Sequence, residues 1–402
     1  MNPYVVIRSV ARFGAVLLIA SGVAHAATLH VAPTAAGCKS DAVDRNLYCS
    51  LRSAIAAANR NADADVIALE ANGVYELADV DHANEGGNGL PAIAGTLRIE
   101  GNGATIRRSD AANVPPFRLL RVAKDGDLSL DRVTLRNGNT ARGFDGAAIW
   151  STGRLALTFC TLEENHSGDD GGAIRSDGVL RIADSLVRGN SARWRGGVGG
   201  GLQSSTQAGS ADTIIERTTF ENNEAWSGGG ALWVMGTTLL VNTTLSGNRA
   251  GERGGGLLNY GSLELRNATI TDNQAGVTGG GLFTYGPVSL GNTLLSGNRA
   301  MIASDCQGKL VSLGYNQIGN SYRCTLDGDA TGNVAGGVPA LAPIADVGGV
   351  RAHEPRTGGT LIDAGNPAPP GSADAACDRV DQRNHARAGR CDIGAIEHGT
   401  SG

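Results

Sequence analysis

Two adjacent carboxylates, Asp169 and Asp170, stand before a glycine pair in the company of two arginines, Arg175 and Arg195. A polysaccharide lyase needs a cation to neutralise a uronate and a base to take the proton beside its carboxylate. Asp169 and Asp170, with Glu252 nearby, are the groups that would hold calcium, and Arg175 or Arg195 the group that would serve as base. A hydrolase would instead set two carboxylates across the sugar bond. Adjacent aspartates are also ordinary turn formers, and no calcium-loop spacing occurs in the chain. His166, His353 and His385 are isolated, without metal-ligand spacing. No metal or cofactor is therefore expected, calcium entering only with the lyase reading.

A second set of residues suits binding rather than bond making. Trp150, Arg175, Gln203, Trp233, Leu258 and Phe283 each follow the aliphatic residue that closes a glycine-rich run. Tyr260 and Tyr285 come two places after the last two, and Trp194 and Trp226 lie just before neighbouring glycine runs. Aromatic faces flanked by charge suit stacking on sugar rings and bonding to hydroxyls or carboxylates. The partner expected on these grounds is a polysaccharide or another surface macromolecule. The alternative is that these rings are covered by residues near 193–198 and 205–211, or by the C-terminal segment.

What must position these residues is a repeat. Six copies of a glycine-led sentence close on Asn165, Asn190, Asn223, Asn248, Asn273 and Asn298, 25 residues apart except for one step of 33. A fixed period of this size means stacked coils rather than a single globular core. Aligned on the closing asparagine, three columns are purely apolar: Leu157 to Leu290 eight places before it, Leu162 to Leu295 three before it, and Ile149 to Leu282 after each glycine run. Three inward columns per coil give three short strands and three parallel sheets, an all-β right-handed parallel β-helix. Six coils at the strand spacing extend roughly 29 Å. Asparagine tolerates turn geometry, and identical amides stacked one strand apart can bond along the column, so the asparagines read as a structural ladder with Asn139 as its first rung. Asn165, Asn242 and Asn267 also open glycosylation sequons.

The ends are organised differently. Residues 1–26 carry Arg8 and Arg12, an apolar run and Ala24-His25-Ala26, which read as a secretory signal peptide. No stretch is long and apolar enough for a membrane helix. The net charge of −5 becomes more negative once the leader is lost, which argues against a nucleic-acid partner. Gly at 60 of 402 residues, without a three-residue period and with 41% hydrophobic residues, excludes both collagen and disorder. Residues 27–95 form an N-terminal cap, with a short amphipathic helix over 50–59 covering the open end of the stack. Irregular strands follow, and the polar segment 80–89 is expected to loop away. The β-helix occupies 96–300, and from Met301 a loop-rich segment to residue 402 closes the other end. Seven cysteines in an exported chain suggest disulfides. Cys38 with Cys49, Cys306 with Cys324, and Cys377 with Cys391 lie close in sequence, and Cys160, at a position of small residues in the other copies, reads as an inert buried thiol.

Three motifs resemble a known group. Cys49-Ser50-Leu51-Arg52-Ser53-Ala54-Ile55 is similar to the Cys-Ser-Leu-Arg-Glu-Ala-Ile signature of exported bacterial β-helix proteins, with Ser53 in place of Glu. The glycine-led repeats resemble those of pectate-lyase-like and adhesin-like proteins. Gly314-Tyr315-Asn316-Gln317-Ile318-Gly319-Asn320, Ile362-Asp363-Ala364-Gly365-Asn366 and Cys391-Asp392-Ile393-Gly394-Ala395-Ile396-Glu397 look like the end of the choice-of-anchor β-helix family. The resemblance implies a right-handed β-helix exported to the cell surface, and it carries no catalytic residues onto this chain. With only five residues after Glu397, release or a periplasmic place is expected rather than anchoring.

Overall fold

Each coil of the repeat is cornered by residues in the left-handed region, and those corners explain the repeat's vocabulary. The glycine three residues before each inward aliphatic, Gly146, Gly171, Gly199, Gly229, Gly254 and Gly279, has φ between +56° and +66°. The glycine after it faces the next coil: a Cβ on Gly172 would meet the Gly200 carbonyl at 2.0 Å, and one on Gly230 the Gly255 carbonyl at 2.2 Å. The glycines therefore serve close approach of strand to strand. A second corner places Phe159, Asp184, Arg217, Asn242, Asn267 and Asn292 at φ between +45° and +52°.

The structure is a computed structural model that describes residues 27–33, 47–48, 50–205, 212–373 and 375–399. The leader and the Cys38–Cys49 pair lie outside the described residues. The molecule is a parallel β-helix. One coil runs Ile149–Ser151, Arg154–Thr158, Thr161–Glu163 and His166–Ser167, and each strand pairs in parallel with its counterpart one coil on. All three inward columns hold register and are buried, as Leu157, Ile182, Ile215, Leu240, Leu265 and Leu290 show. Besides the three expected sheets there is a fourth, of five two-residue strands running from His166–Ser167 to Gln274–Ala275. It was hidden because two residues show no alternation of apolar and polar side chains.

The asparagine ladder forms as a continuous chain of amides. Oδ1 of Asn190, Asn223, Asn248, Asn273 and Asn298 accepts both the backbone N–H and the Nδ2–H of the asparagine one coil earlier, at 2.9–3.1 Å. Asn139 is not its first rung. Asn139 pairs with His166, and Gly138 holds the ladder register, donating its N–H to Asn165 Oδ1 at 2.9 Å. A Cβ there would meet the Ala147 carbonyl at 2.1 Å, so an asparagine does not fit. At the far end Asp305 Oδ1 takes the place of an amide, accepting from Asn298 N and Nδ2 at 2.8 and 2.9 Å.

At the N-terminal end, helix Leu51–Ala58 is capped by Ser50, whose Oγ accepts from Ser53 N at 3.1 Å, and it buries Leu51, Ala54, Ile55 and Ala58 in the same core as strand Thr28–Val31. Arg52 ties it to the loop over 79–89 through the carbonyls of Asp79 and Gly89. Beyond Met301, where the 25-residue period ends, parallel pairing continues through Cys306–Leu313 and Cys324–Asp329 on one face and Gln317–Ile318 and Val334–Ala335 on another. Corner bonds there pass to Asn316 and Asn333, whose Oδ1 atoms accept from Thr293 N and Asn316 N. Disulfides join Cys306 to Cys324 and Cys377 to Cys391, and Cys160 is free and buried, its thiol pushed up to about 11 by burial. Among the described residues no helix is long and apolar enough to cross a membrane.

The loop-rich C-terminal segment is present, and it runs back along the flank of the stack. Over the third sheet, Arg351 clasps Glu221 at 2.6 and 3.0 Å, Gln382 bridges Thr219 Oγ1 and Thr244 Oγ1, and His353 Nε2 lies 2.7 Å from Ser246 Oγ. Leu361 and Ile393 cover Leu294, an outward residue of the same sheet. Two of the three sequons are consumed here: Asn242 bonds Asp378 and Arg387, and Asn267 accepts from Asp378 N. Asn165 is buried in the ladder.

Two expectations follow. Asn248→Ala strips partners from buried backbone and amide groups and should lower the unfolding free energy by about 2–4 kcal/mol, against about 1 kcal/mol or less for Asn139→Ala, measured by urea denaturation. Expression in a glycosylating host should leave the intact mass free of N-glycan, since all three sequon amides are engaged.

Candidate functional site

The outward column of the glycine-led sheet forms in register: Trp150, Arg175, Gln203, Trp233, Leu258 and Phe283 sit on successive strands. Five strand spacings separate its ends, about 24 Å. Strand Cys306–Leu313 extends this sheet by one more coil. Among the described residues, the hydrogen bonds that residues 336–399 make to the stack fall on the third sheet and its corners rather than on this face. Residues 206–211, a candidate cover, lie outside the described residues. The face divides into a charged half and an aromatic half.

In the charged half Trp150 is packed rather than offered. Its Nε1–H donates to Asp177 Oδ2 at 2.9 Å, and the guanidiniums of Arg121 and Arg118 lie 4.1 and 4.9 Å from its ring. Arg175 is held by Asp177 at 2.9 Å, Asp145 at 3.0 Å and Asp170 at 3.7 Å. Gln203 is buried with its Oε1 unpartnered among the described residues. Oxygens of Asp145, Asp169 and Asp170 all lie within 4.8 Å of one another, the one such carboxylate group among the described residues. Burial pushes the Asp170 carboxyl up to about 6 although it accepts Val198 N–H at 3.0 Å, and burial raises Asp145 as well.

Asp145 is the member that sequence reasoning missed. It stands one coil before Asp170, in the same place relative to its glycine run, and aligning turn positions as well as strand positions would have found it. Glu252 does not join the group. It lies three coils from Asp169, about 14 Å away along the stack, and accepts from Ser227 Oγ. Arg195 is exposed in the turn that carries Trp194. His166 bonds Ser191 at 2.7 Å, burial lowering its pKa, while His353 belongs to the C-terminal segment.

The aromatic half is where rings reach solvent. Tyr260 and Tyr285 stack with centroids 4.7 Å apart, Trp233 lies 5.5 Å from Tyr260, and Phe283 lies 4.8 Å from Tyr285. Leu258 and Phe283 are buried beneath, whereas Tyr260 and Tyr285 are 43% and 54% exposed. Arg253 lies over Phe283 and bonds the Tyr285 hydroxyl. Trp226 is exposed in the turn just before the Gly228–Gly230 run, and Trp194, one coil earlier, is exposed under the guanidinium of Arg142 at 5.2 Å. Of the nine binding candidates, then, Trp194, Trp226, Tyr260 and Tyr285 are exposed, Trp233, Trp150 and Arg175 are half-buried, and Gln203 and Phe283 are buried, Phe283 against Tyr285.

No family model matches the chain, and neither does any curated protein.

The raised Asp170 carboxyl has a defined pH signature. The folded protein keeps this proton at pH values where the unfolded chain, near its ordinary value of 3.8, has released it. The stabilisation is therefore fully present below about pH 4 and is lost as pH rises towards about 6. Asp170→Asn retains the acceptor for Val198 N–H, so its urea midpoint should fall less than that of the parent protein between pH 4 and 6.

Proposed function

We propose that the protein is an exported β-helix that binds a glycan along the outer face of its glycine-led sheet, through Trp233, Tyr260 and Tyr285 with Arg253 at their edge. The observation that carries this reading is the exposed, stacked pair Tyr260 and Tyr285 beside Trp233, an aromatic platform on adjacent coils with a guanidinium next to it. Sugar rings present apolar C–H faces to such a platform and hydroxyls or carboxylates to the arginine. Export, to the medium, the cell surface or the periplasm, is supported by the signal-like leader, by the two disulfides, and by the resemblance to exported proteins with the Cys-Ser-Leu-Arg-Glu-Ala-Ile signature and choice-of-anchor ends.

A second reading, a lyase or hydrolase on an acidic polysaccharide, is favoured by the Asp145, Asp169 and Asp170 group on the same face. These three carboxylates are the ones that would hold calcium, which would neutralise a uronate. Arg175 is less suited to act as base than the sequence suggests, because Asp177, Asp145 and Asp170 already engage its guanidinium.

A glycan array followed by affinity measurements should show Tyr260→Ala/Tyr285→Ala weakening binding at least tenfold, with Trp150→Ala/Trp233→Ala also impaired. Undiminished binding in both double variants would falsify the site. Incubation with polyuronates, with and without calcium, should yield neither unsaturated products nor new reducing ends. Product formation abolished by Asp170→Asn would establish the enzymatic reading in its place.

A further inference from the structure

Where the C-terminal segment passes over the last full coils, it leaves a cavity of about 530 Å³ between itself and the stack. The stack contributes Asp272 and Arg299 to its lining, and the segment contributes Val338, Leu341, His353 and Arg356. A hole of this volume lies in the range of small-ligand sites, roughly 300–1,000 Å³.

Its charges are unbalanced. The Arg299 and Arg356 guanidiniums make no hydrogen bond or ion pair among the described residues, although most arginines of this chain are paired. The one carboxylate in the lining, Asp272, is 60% exposed and lies 3.9 Å from His353 Nε2. His353 is fixed by the Ala342 carbonyl on Nδ1 at 2.8 Å and by Ser246 Oγ on Nε2 at 2.7 Å, so the wall that carries it is firmly seated. Two unpaired guanidiniums, one from each side of the joint, present planar donor forks that match a carboxylate or sulfate. Val338 and Leu341 add an apolar surface beside them.

We propose that this cavity binds a small molecule bearing a carboxylate or sulfate group, held between Arg299 of the stack and Arg356 of the C-terminal segment. Because the two arginines belong to different parts of the chain, the ligand fastens the segment to the stack. Binding to the folded, docked state alone then stabilises that state by linkage.

The test titrates the full chain with sodium sulfate and with sodium glucuronate at constant ionic strength, reading heat of binding, melting temperature and the rate at which a protease cuts within 336–399. Saturable binding, a raised melting temperature and slower cutting are expected, with at least a tenfold loss of affinity in Arg299→Ala/Arg356→Ala. Both arginines are exposed and unpaired, so this variant should keep the parent circular dichroism spectrum. Tenfold tighter binding of glucuronate than of sulfate identifies an organic acid as the ligand class, and equal binding identifies a free inorganic anion. Tyr260→Ala/Tyr285→Ala should bind either probe like the parent, which separates this site from the aromatic face. Failure of both probes to saturate, or unchanged affinity in the arginine variant, overturns the proposal.

Discussion

At the corner where each coil turns from the third sheet into the short fourth one, the sheet ladders cannot reach the backbone, and an asparagine amide takes over. Its oxygen accepts two donors from the coil before, and its nitrogen donates to a carbonyl there and to the next amide oxygen. Such a group, buried without partners, would cost a few kcal/mol. The pattern closes only when every coil is in register, so the ladder fixes which residue stands above which. The outward face inherits that order. Tyr260 meets Tyr285, and Asp145 meets Asp170, because the amides beneath hold the coils at matching positions.

The two halves of the face follow from what each coil places at the same outward sites. In the first coils these sites hold Arg121, Trp150 and Arg175, and neighbouring carboxylates trap Arg175 while arginines enclose Trp150. Three coils on, the same sites hold Trp233, Leu258 and Phe283. Leu258 and Phe283 sink beneath Tyr260 and Tyr285, whose ring and side-chain partners among the described residues are each other, Trp233, Phe283 and Arg253. Identical scaffolding thus yields a self-satisfied polar cluster at one end and an unsatisfied apolar platform at the other.

What was legible in the sequence is what repeats. The inward columns, the helix over Leu51–Ala58 and the outward register of Trp150 to Phe283 all came from spacing, because burial on a periodic backbone leaves a periodic trace. What escaped was set by contacts between distant parts. Gly138 displaces Asn139 from the ladder because the Ala147 carbonyl crowds that corner. The stack outlasts its period because Asp305 takes over the ladder corner and Asn316 the corner served by Thr293 one coil earlier. Thr219, Thr244 and Thr269 face outward yet are buried, and nothing in a threonine announces that a segment more than a hundred residues later will lie on it. Exposure of the aromatic rings likewise depends on where that segment goes, which no local pattern records.

The route of the C-terminal segment also changes how the molecule must assemble. A solenoid whose coils touch only their neighbours can grow and fray one coil at a time. Here Gln382 reaches back 163 residues to Thr219, and Asn242, Asn267 and Asn292 each meet residues of the same segment. That docking surface does not exist until the coils carrying these residues have stacked. The segment therefore acts as a terminal inspector: it can seat only on a finished stack, and once seated it couples coils that would otherwise come and go independently into one cooperative unit.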